Sequence, residues 1–168
     1  MFIDRIYDFT QKTIRKARTA DPYELAEQLG IIVKYKSFGD LKGTYFISKR
    51  QPFIILNDTL DEVMERVVLA HEIGHHLLHR HIAVGNFQEF GYFDMTSKPE
   101  KEANLFAANF LITDEDVISL AEEQYTSEQT ACILKIPHQL LLIKMEDMNK
   151  RGYGFNLFYV PRGDFLGR

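Results

Sequence analysis

Short apolar runs early in the chain have the composition of β-strands. Residues 31–35, 43–47 and 53–57 are rich in β-branched and aromatic side chains, and turn-forming residues such as glycine, aspartate and proline separate them. Runs of this kind are typical of strands that hairpins connect. We therefore predict a small three-stranded antiparallel sheet in the first part of the chain.

Most of the remaining chain repeats its apolar residues with the 3.6-residue period of an amphipathic helix. Residues 4–17 and 21–29 form two predicted helices before the sheet, and residues 57–59 supply polar caps for a long helix directly after it. The period returns at Ser97 and continues, with several start and stop signals, to Gly152. The pattern predicts an α+β fold whose C-terminal half is mainly helical.

The composition argues against several classes of protein. The formal net charge is −4 and no block is rich in lysine and arginine, which argues against a general nucleic-acid binder. No apolar stretch approaches the length of a membrane span, and charged residues interrupt the N-terminal run that a signal peptide would need. The single cysteine, Cys132, permits no internal disulfide and is expected to pack inside a helix. We expect a cytoplasmic protein that does not bind nucleic acid directly and does not associate with a membrane.

The helix after the sheet carries an H-E-x-x-H pattern, His71-Glu72-Ile73-Gly74-His75. Residues four apart lie on one face of a helix, so His71 and His75 can present two imidazole nitrogens to one metal ion. Glu72 lies further round the helix, where its carboxylate can reach a water beside the metal and act as a general base. The pattern predicts a zinc hydrolase, and the alternative is a pair of buried histidines that are merely hydrogen-bonded.

A zinc site of this kind needs a third protein ligand, and the helix that begins at Ser97 offers Glu100 and Glu102. On a helical wheel Glu100 falls on the apolar side and Glu102 on its margin, which favours Glu100 and leaves Glu102 open. Ser97 and Glu100 also fit a capping box, in which the glutamate would only secure the helix start. Asn104 shares the side of Glu100 and is expected to hydrogen-bond the second ring nitrogen of a ligating histidine.

Residues 83–95 interrupt the helical period between the two helices that carry these residues, with two glycines and four aromatic residues. We expect this loop to line a substrate cleft, with Phe87 and Tyr92 as contacts. The residue that stabilises an oxyanion is not identified by the sequence, and Tyr92 and His138 are the two candidates. The remaining histidines of the first motif's helix, His76 and His79, are predicted to lie on the helix surface or at its end, as is His81 beyond them.

The two motifs together resemble the ImmA/IrrE family of metallopeptidases over roughly residues 20–145. The shared pattern is H-E-x-G-H at residues 71–75, followed by E-x-x-A-x-x-F-A at residues 100–107. The family usually has a proline where this chain has Ile112-Thr113-Asp114, which indicates a changed helix end. The resemblance implies a zincin-like helix in which the two histidines and Glu100 hold zinc and Glu72 is catalytic. It also implies that the substrate is a helix-turn-helix repressor of a prophage or an integrative mobile element.

The length of 168 residues fits one domain, and we predict a single metallopeptidase domain over residues 1–168. Its predicted parts are an N-terminal helix (1–20), a catalytic core (21–112), a helical C-terminal part (113–151) and an aromatic tail (152–168). The predicted function is cleavage of a specific repressor, which relieves transcriptional repression.

Two other functions remain open. One is a non-cleaving antirepressor that grips the repressor through the same fold. The other is a toxin or DNA-contacting regulator that uses a helix-turn-helix within residues 127–151. That last alternative is weak, because residues 140–143 are too apolar for a DNA groove.

Overall fold

The computed structural model describes residues 3–80 and 97–157, so the predicted loop at 83–95 lies outside the described residues. Within those ranges the order of elements is α1 (Ile3–Ala17), α2 (Pro22–Gln28), β1 (Ile32–Lys36), β2 (Gly43–Ser48), β3 (Gln51–Asn57), α3 (Glu62–Leu78), α4 (Lys98–Leu111), α5 (Asp114–Glu122), α6 (Ser127–Leu134) and α7 (His138–Lys150). The predicted α+β class and the mainly helical C-terminal half are confirmed. None of the described helices is both long enough and apolar enough to span a bilayer.

The three strands form one sheet in the order β1-β3-β2. The prediction of an antiparallel sheet is wrong for one of its two strand pairs. β2 is antiparallel to β3, but β1 is parallel to β3, with Ile32 opposite Phe53. Only Lys49 and Arg50, both at positive φ, make a tight hairpin turn, whereas residues 37–42 carry the chain across to the far side of β3. β3 takes the centre because it is the most apolar strand, with Ile54 and Leu56 fully buried.

The long helix α3 is capped by Asp61, whose side chain accepts a hydrogen bond from the backbone N–H of Met64. The prediction that residues 57–59 cap this helix is therefore wrong. The side-chain amide of Asn57 instead donates to the carbonyl oxygens of Phe38 and Leu41, which lie in the loop between β1 and β2. Asn57 therefore secures the loop between β1 and β2 rather than the helix start.

Helices α3 and α4 pack against each other, and α3 also contacts β2 and β3. The two helices approach closely at Gly74, where an added Cβ would lie 3.2 Å from the Cα of Ala103 and 3.3 Å from its carbonyl oxygen. Any larger residue at position 74 would push the helices apart. The glycine of the H-E-x-G-H motif therefore has a packing role, since it lets side chains from the two helices meet.

The C-terminal helices are built around the apolar residues of α7. Residues 140–143 are buried, with exposed fractions between 0% and 7%. This burial makes the segment unavailable to a DNA groove and argues against the DNA-contacting alternative. Cys132 on α6 is exposed rather than packed, because the adjacent Thr130 and Ala131 take the buried positions of that short helix.

A network of charged side chains joins α4, α5 and α7 inside the protein. Lys144 is fully buried, and its ammonium lies 2.5 Å from Asp114 and 2.7 Å from the side-chain oxygen of Asn109. The guanidinium of Arg151 bonds Asp114 at 2.6 and 3.0 Å and Asp147 at 3.1 Å. Burial lowers the pKa of Lys144, and the hydrogen bond and charge of Asp114 oppose that shift. Each buried charge therefore depends on its partners.

Replacing Lys144 with alanine is expected to reduce the free energy of unfolding by about 3–5 kcal/mol, because the buried carboxylate of Asp114 and the buried amide oxygen of Asn109 would each lose a partner. Lys150 on the same helix is the matched control. It forms an exposed pair with Glu146 at 2.5 Å, and its replacement by alanine should cost less than about 1 kcal/mol. Urea unfolding of both variants measures the difference, and equal stabilities would contradict a stabilising role for the buried network.

Candidate metal centre

Three side chains from α3 and α4 converge on one point. The Nε2 atoms of His71 and His75 lie 3.1 Å apart, and each lies 3.1 Å from an oxygen of Glu100. His71 and His75 share a face of α3 because they are four residues apart, and the close approach at Gly74 brings α4 within reach. All three ligand atoms lie within 4.8 Å of one another.

The hydrogen bonds around His71 leave its inner nitrogen available as a ligand. Its Nδ1 lies 2.8 Å from the side-chain oxygen of Asn104. An amide oxygen can only accept, so Nδ1 carries a proton, and Nε2 is the ring nitrogen that faces the cluster. The structure thus places Asn104 where a supporting partner of His71 was predicted. Two imidazole nitrogens and a carboxylate that face one point form a donor set that fits a bound cation.

The pKa shifts in the cluster follow from its burial and its hydrogen bonds. Burial lowers the pKa of His71, but the hydrogen bond to Glu100 and the nearby carboxylate charges outweigh it, so the pKa is raised. Burial lowers the pKa of His75 to about 4. Burial alone would raise the pKa of Glu100, yet the two histidine rings beside its carboxylate hold that pKa well below its usual range. Glu100 is therefore anionic and His75 neutral, as metal ligands require, whereas the raised pKa of His71 means that a bound cation would compete with a proton for its Nε2.

The two glutamates of α4 point to different partners. The carboxylate of Glu102 lies 2.8 Å from the Nε2 of His79 and is not part of the three-residue cluster. Ser97, the N-cap of α4, makes no side-chain capping hydrogen bond, so the capping box considered for Glu100 is not formed. The geometry therefore favours Glu100 over Glu102 as the third ligand.

Glu72 is buried on a different side of α3, where the helix meets the start of β2. Its side chain is close to Gly43, since a Cβ added there would lie 3.3 Å from the Oε1 of Glu72. Burial raises the pKa of this carboxyl to about 7. A carboxyl group with this pKa can both accept and release a proton near neutral pH.

Replacing Gly43 with alanine should damage both stability and the position of Glu72. The new Cβ would lie 2.5 Å from the Cγ1 of Val68, a buried and β-branched side chain with few rotamers. Overpacking of this kind costs about 1–3 kcal/mol, which denaturant unfolding can measure. Gly39→Ala is the control because no atom lies within 4 Å of its added Cβ. An unchanged unfolding midpoint in Gly43→Ala would contradict the close contact.

The prediction that His76 and His79 lie on the helix surface or at its end is wrong in one respect, because both are buried. His76 is 5% exposed, and its Nδ1 lies 2.8 Å from the hydroxyl of Tyr45 on β2. His79 follows the last residue of α3 as its C-cap, yet it is 6% exposed. The sequence signal for His79 was its spacing, since His71, His75 and His79 recur every four residues. Tyr45 on β2 and Glu102 on α4 bond these two histidines, and contacts with other elements could not be read from α3 alone.

Among the described residues, the remaining candidate from the sequence does not join the cluster. His138 forms a hydrogen bond with Ser127 at 2.8 Å, between α7 and α6. Phe87, Tyr92 and His81 lie outside the described residues.

Comparison with known proteins identifies the family of this chain. Residues 26–152 match the model of a peptidase family described as "IrrE N-terminal-like domain". The chain belongs to this family. The match spans the sheet, α3 and α4, and therefore every residue of the candidate centre.

Two relatives of this IrrE-like chain carry informative names. The "Uncharacterized immunity region protein 2" of Bacillus phage phi105 is 30% identical over 135 residues, which cover 80% of this chain and 85% of that protein. The "Metallopeptidase ImmA" of Bacillus subtilis (strain 168) is 25% identical over 131 residues, covering 76% of each chain. The chain therefore belongs to a metallopeptidase family, and one of its relatives is named from a phage immunity region.

Proposed function

We propose that this chain is a zinc-dependent endopeptidase that cleaves a specific helix-turn-helix repressor in the cytoplasm. Cleavage would relieve transcriptional repression of a prophage or mobile element. The observation that carries the proposal is the convergence of His71, His75 and Glu100 at 3.1 Å, with the buried carboxylate of Glu72 on the next residue of the helix. Histidine and carboxylate side chains are the usual zinc ligands of metal-dependent hydrolases, and a further glutamate is a usual general base.

His71, His75 and Glu100 would hold the metal. Zinc suits two imidazole nitrogens and one carboxylate, and three protein ligands leave a further position for water or substrate. When bound, the zinc would supply Lewis acidity to a water and to a peptide carbonyl. Asn104 would keep the ring of His71 in the orientation and tautomer that present Nε2.

Glu72 would transfer the proton in the reaction. Its carboxylate takes a proton from the water that attacks the scissile carbonyl, and later gives that proton to the leaving amine. Its raised pKa, about 7, suits both steps, and a neighbouring cation would favour the ionised form that begins the cycle. Burial of Glu72 excludes competing hydrogen bonds from bulk water.

The proposed substrate class rests on the names of the relatives. One relative is named as a phage immunity region protein and another as ImmA, a metallopeptidase. A phage immunity region is a context compatible with a repressor as the protein substrate, which is the substrate that the resemblance to the ImmA/IrrE family implies. A binding-only antirepressor would use the same partner, but it would have no need for the carboxylate of Glu72.

The loop at residues 83–95 is proposed to line the substrate cleft. Phe87→Ala and Tyr92→Ala are each expected to reduce the rate of cleavage while the zinc content stays at the wild-type value. Cleavage kinetics and metal analysis on the same preparations measure the two effects. Wild-type rates in both variants would assign the loop to packing.

The proposal is tested with purified proteins. The chain is mixed with the helix-turn-helix protein encoded beside its gene, with zinc, with a chelator, and with zinc added back after the chelator. Fragments are expected in the first and third mixtures only, and mass spectrometry would locate the cleaved bond. Fragments that persist in the chelator would contradict metal dependence, and an intact partner in every mixture would contradict the proposed substrate.

A further inference from the structure

A chain of hydrogen bonds leads from the metal cluster to a second histidine and a second carboxylate. The Nδ1 of His75 lies 3.2 Å from the Nδ1 of His79, and the Nε2 of His79 lies 2.8 Å from the Oε2 of Glu102. The side chains of His79 and Glu102 are only 7% and 15% exposed. Neither residue has a part in the catalytic steps described above.

The protons in this chain can be assigned from its far end. A carboxylate can only accept, so the Nε2 of His79 carries a proton and donates it to Glu102. When the ring of His79 carries this single proton, its other nitrogen is an acceptor and receives the proton on the Nδ1 of His75. The Nε2 of His75 is left with a lone pair that faces the cluster.

We propose that His79 and Glu102 are positioning residues that fix the tautomer and the ring orientation of His75. They would do for His75 what Asn104 does for His71, whose Nδ1 lies 2.8 Å from the amide oxygen. Both histidines of the cluster would then be oriented from α4, and Glu102 would act on the metal through two rings. The inference rests on the metal site of the proposed function, but not on cleavage of any substrate.

A purely structural role for the same contacts would be a clamp between α3 and α4. The two roles differ in what a substitution changes. If the contacts were only a clamp, their loss would lower the stability of the protein. The folded molecules that remain would bind zinc with the wild-type affinity. A positioning role would alter the affinity of the folded protein for metal, because a ring that is free to rotate presents its nitrogen less often.

The test measures zinc affinity by competition with a chromophoric chelator. Glu102→Ala and His79→Ala are each expected to bind zinc about 10–100-fold more weakly than the wild type, the usual effect of losing a partner of a metal ligand. Glu102→Gln should restore most of the affinity, because its amide oxygen can still accept from His79. Lys98→Ala is the matched control, since Lys98 is 65% exposed and lies 3.7 Å from the same carboxylate.

A second readout follows the proton on His75 directly. Long-range ¹H–¹⁵N NMR of the zinc-loaded wild type should show a slowly exchanging Nδ1 proton on His75, and the signal should be lost to exchange in His79→Ala. Wild-type affinity in Glu102→Ala and His79→Ala, or an equal loss in Lys98→Ala, would overturn the inference. Wild-type zinc binding by Glu100→Ala would instead contradict the proposed metal site, so the two failures are distinguishable.

Discussion

A Glu72→Gln variant is expected to bind zinc as the wild type does and to lose cleavage of the partner repressor. Glu72 is not among the three converging ligands, and glutamine has nearly the same shape, so zinc binding should be kept. Glutamine cannot take a proton from the attacking water, so cleavage should be lost. General bases typically contribute about 10²–10⁴-fold to the rate, so the fragments should disappear from a gel. Zinc content and cleavage are measured on the same preparation.

The fold should tolerate this change. Burial raises the pKa of Glu72 to about 7, so at neutral pH the folded protein bears the cost of a partly ionised buried group, and glutamine removes that cost. The free energy of unfolding of the zinc-free variant is therefore expected to be no lower than that of the wild type. Glu62→Gln, an exposed change in the first turn of α3, serves as the control and should leave cleavage unchanged. Cleavage at the wild-type rate by Glu72→Gln would remove Glu72 from the mechanism.

Glu100→Ala is expected to lose zinc, because it removes one of three converging ligands. The loss in affinity should exceed about 100-fold, the upper range for a residue that only supports a ligand. Glu102→Ala is the matched comparison on the same helix, and it should still bind one zinc per chain, although more weakly. Metal analysis after dialysis separates the two variants. Zinc lost by Glu102→Ala and kept by Glu100→Ala would reverse the ligand assignment.

Local signals in the sequence were sufficient for the elements and for their approximate ends. Helix α2, for example, begins with Pro22 after the N-cap Asp21 and is followed by Gly30 at a φ of +66°, as the sequence signals predict. The direction of β1 was not predictable in this way. It depends on which strand takes the centre of the sheet, and the most apolar strand, β3, takes it.

The candidate site shows the same division between local and tertiary information. Helical spacing alone places His71 beside His75, and the apolar period of α4 favours Glu100 over Glu102. Burial of His79 could not be inferred from α3, because the helix ends there and a surface position is the ordinary expectation. Only the packing of α4 brings Glu102 to that ring, at 2.8 Å.

The central claim is that proteolysis by this chain inactivates a repressor, and one comparison in cells tests it most directly. Strains express the wild type or Glu72→Gln at equal levels and carry a reporter gene that is silenced by the repressor encoded beside the gene for this chain. An immunoblot follows the length of the repressor. The account predicts shortened repressor and an active reporter with the wild type, and intact repressor and a silent reporter with Glu72→Gln. An active reporter beside full-length repressor in the Glu72→Gln strain would contradict it and favour the non-cleaving antirepressor.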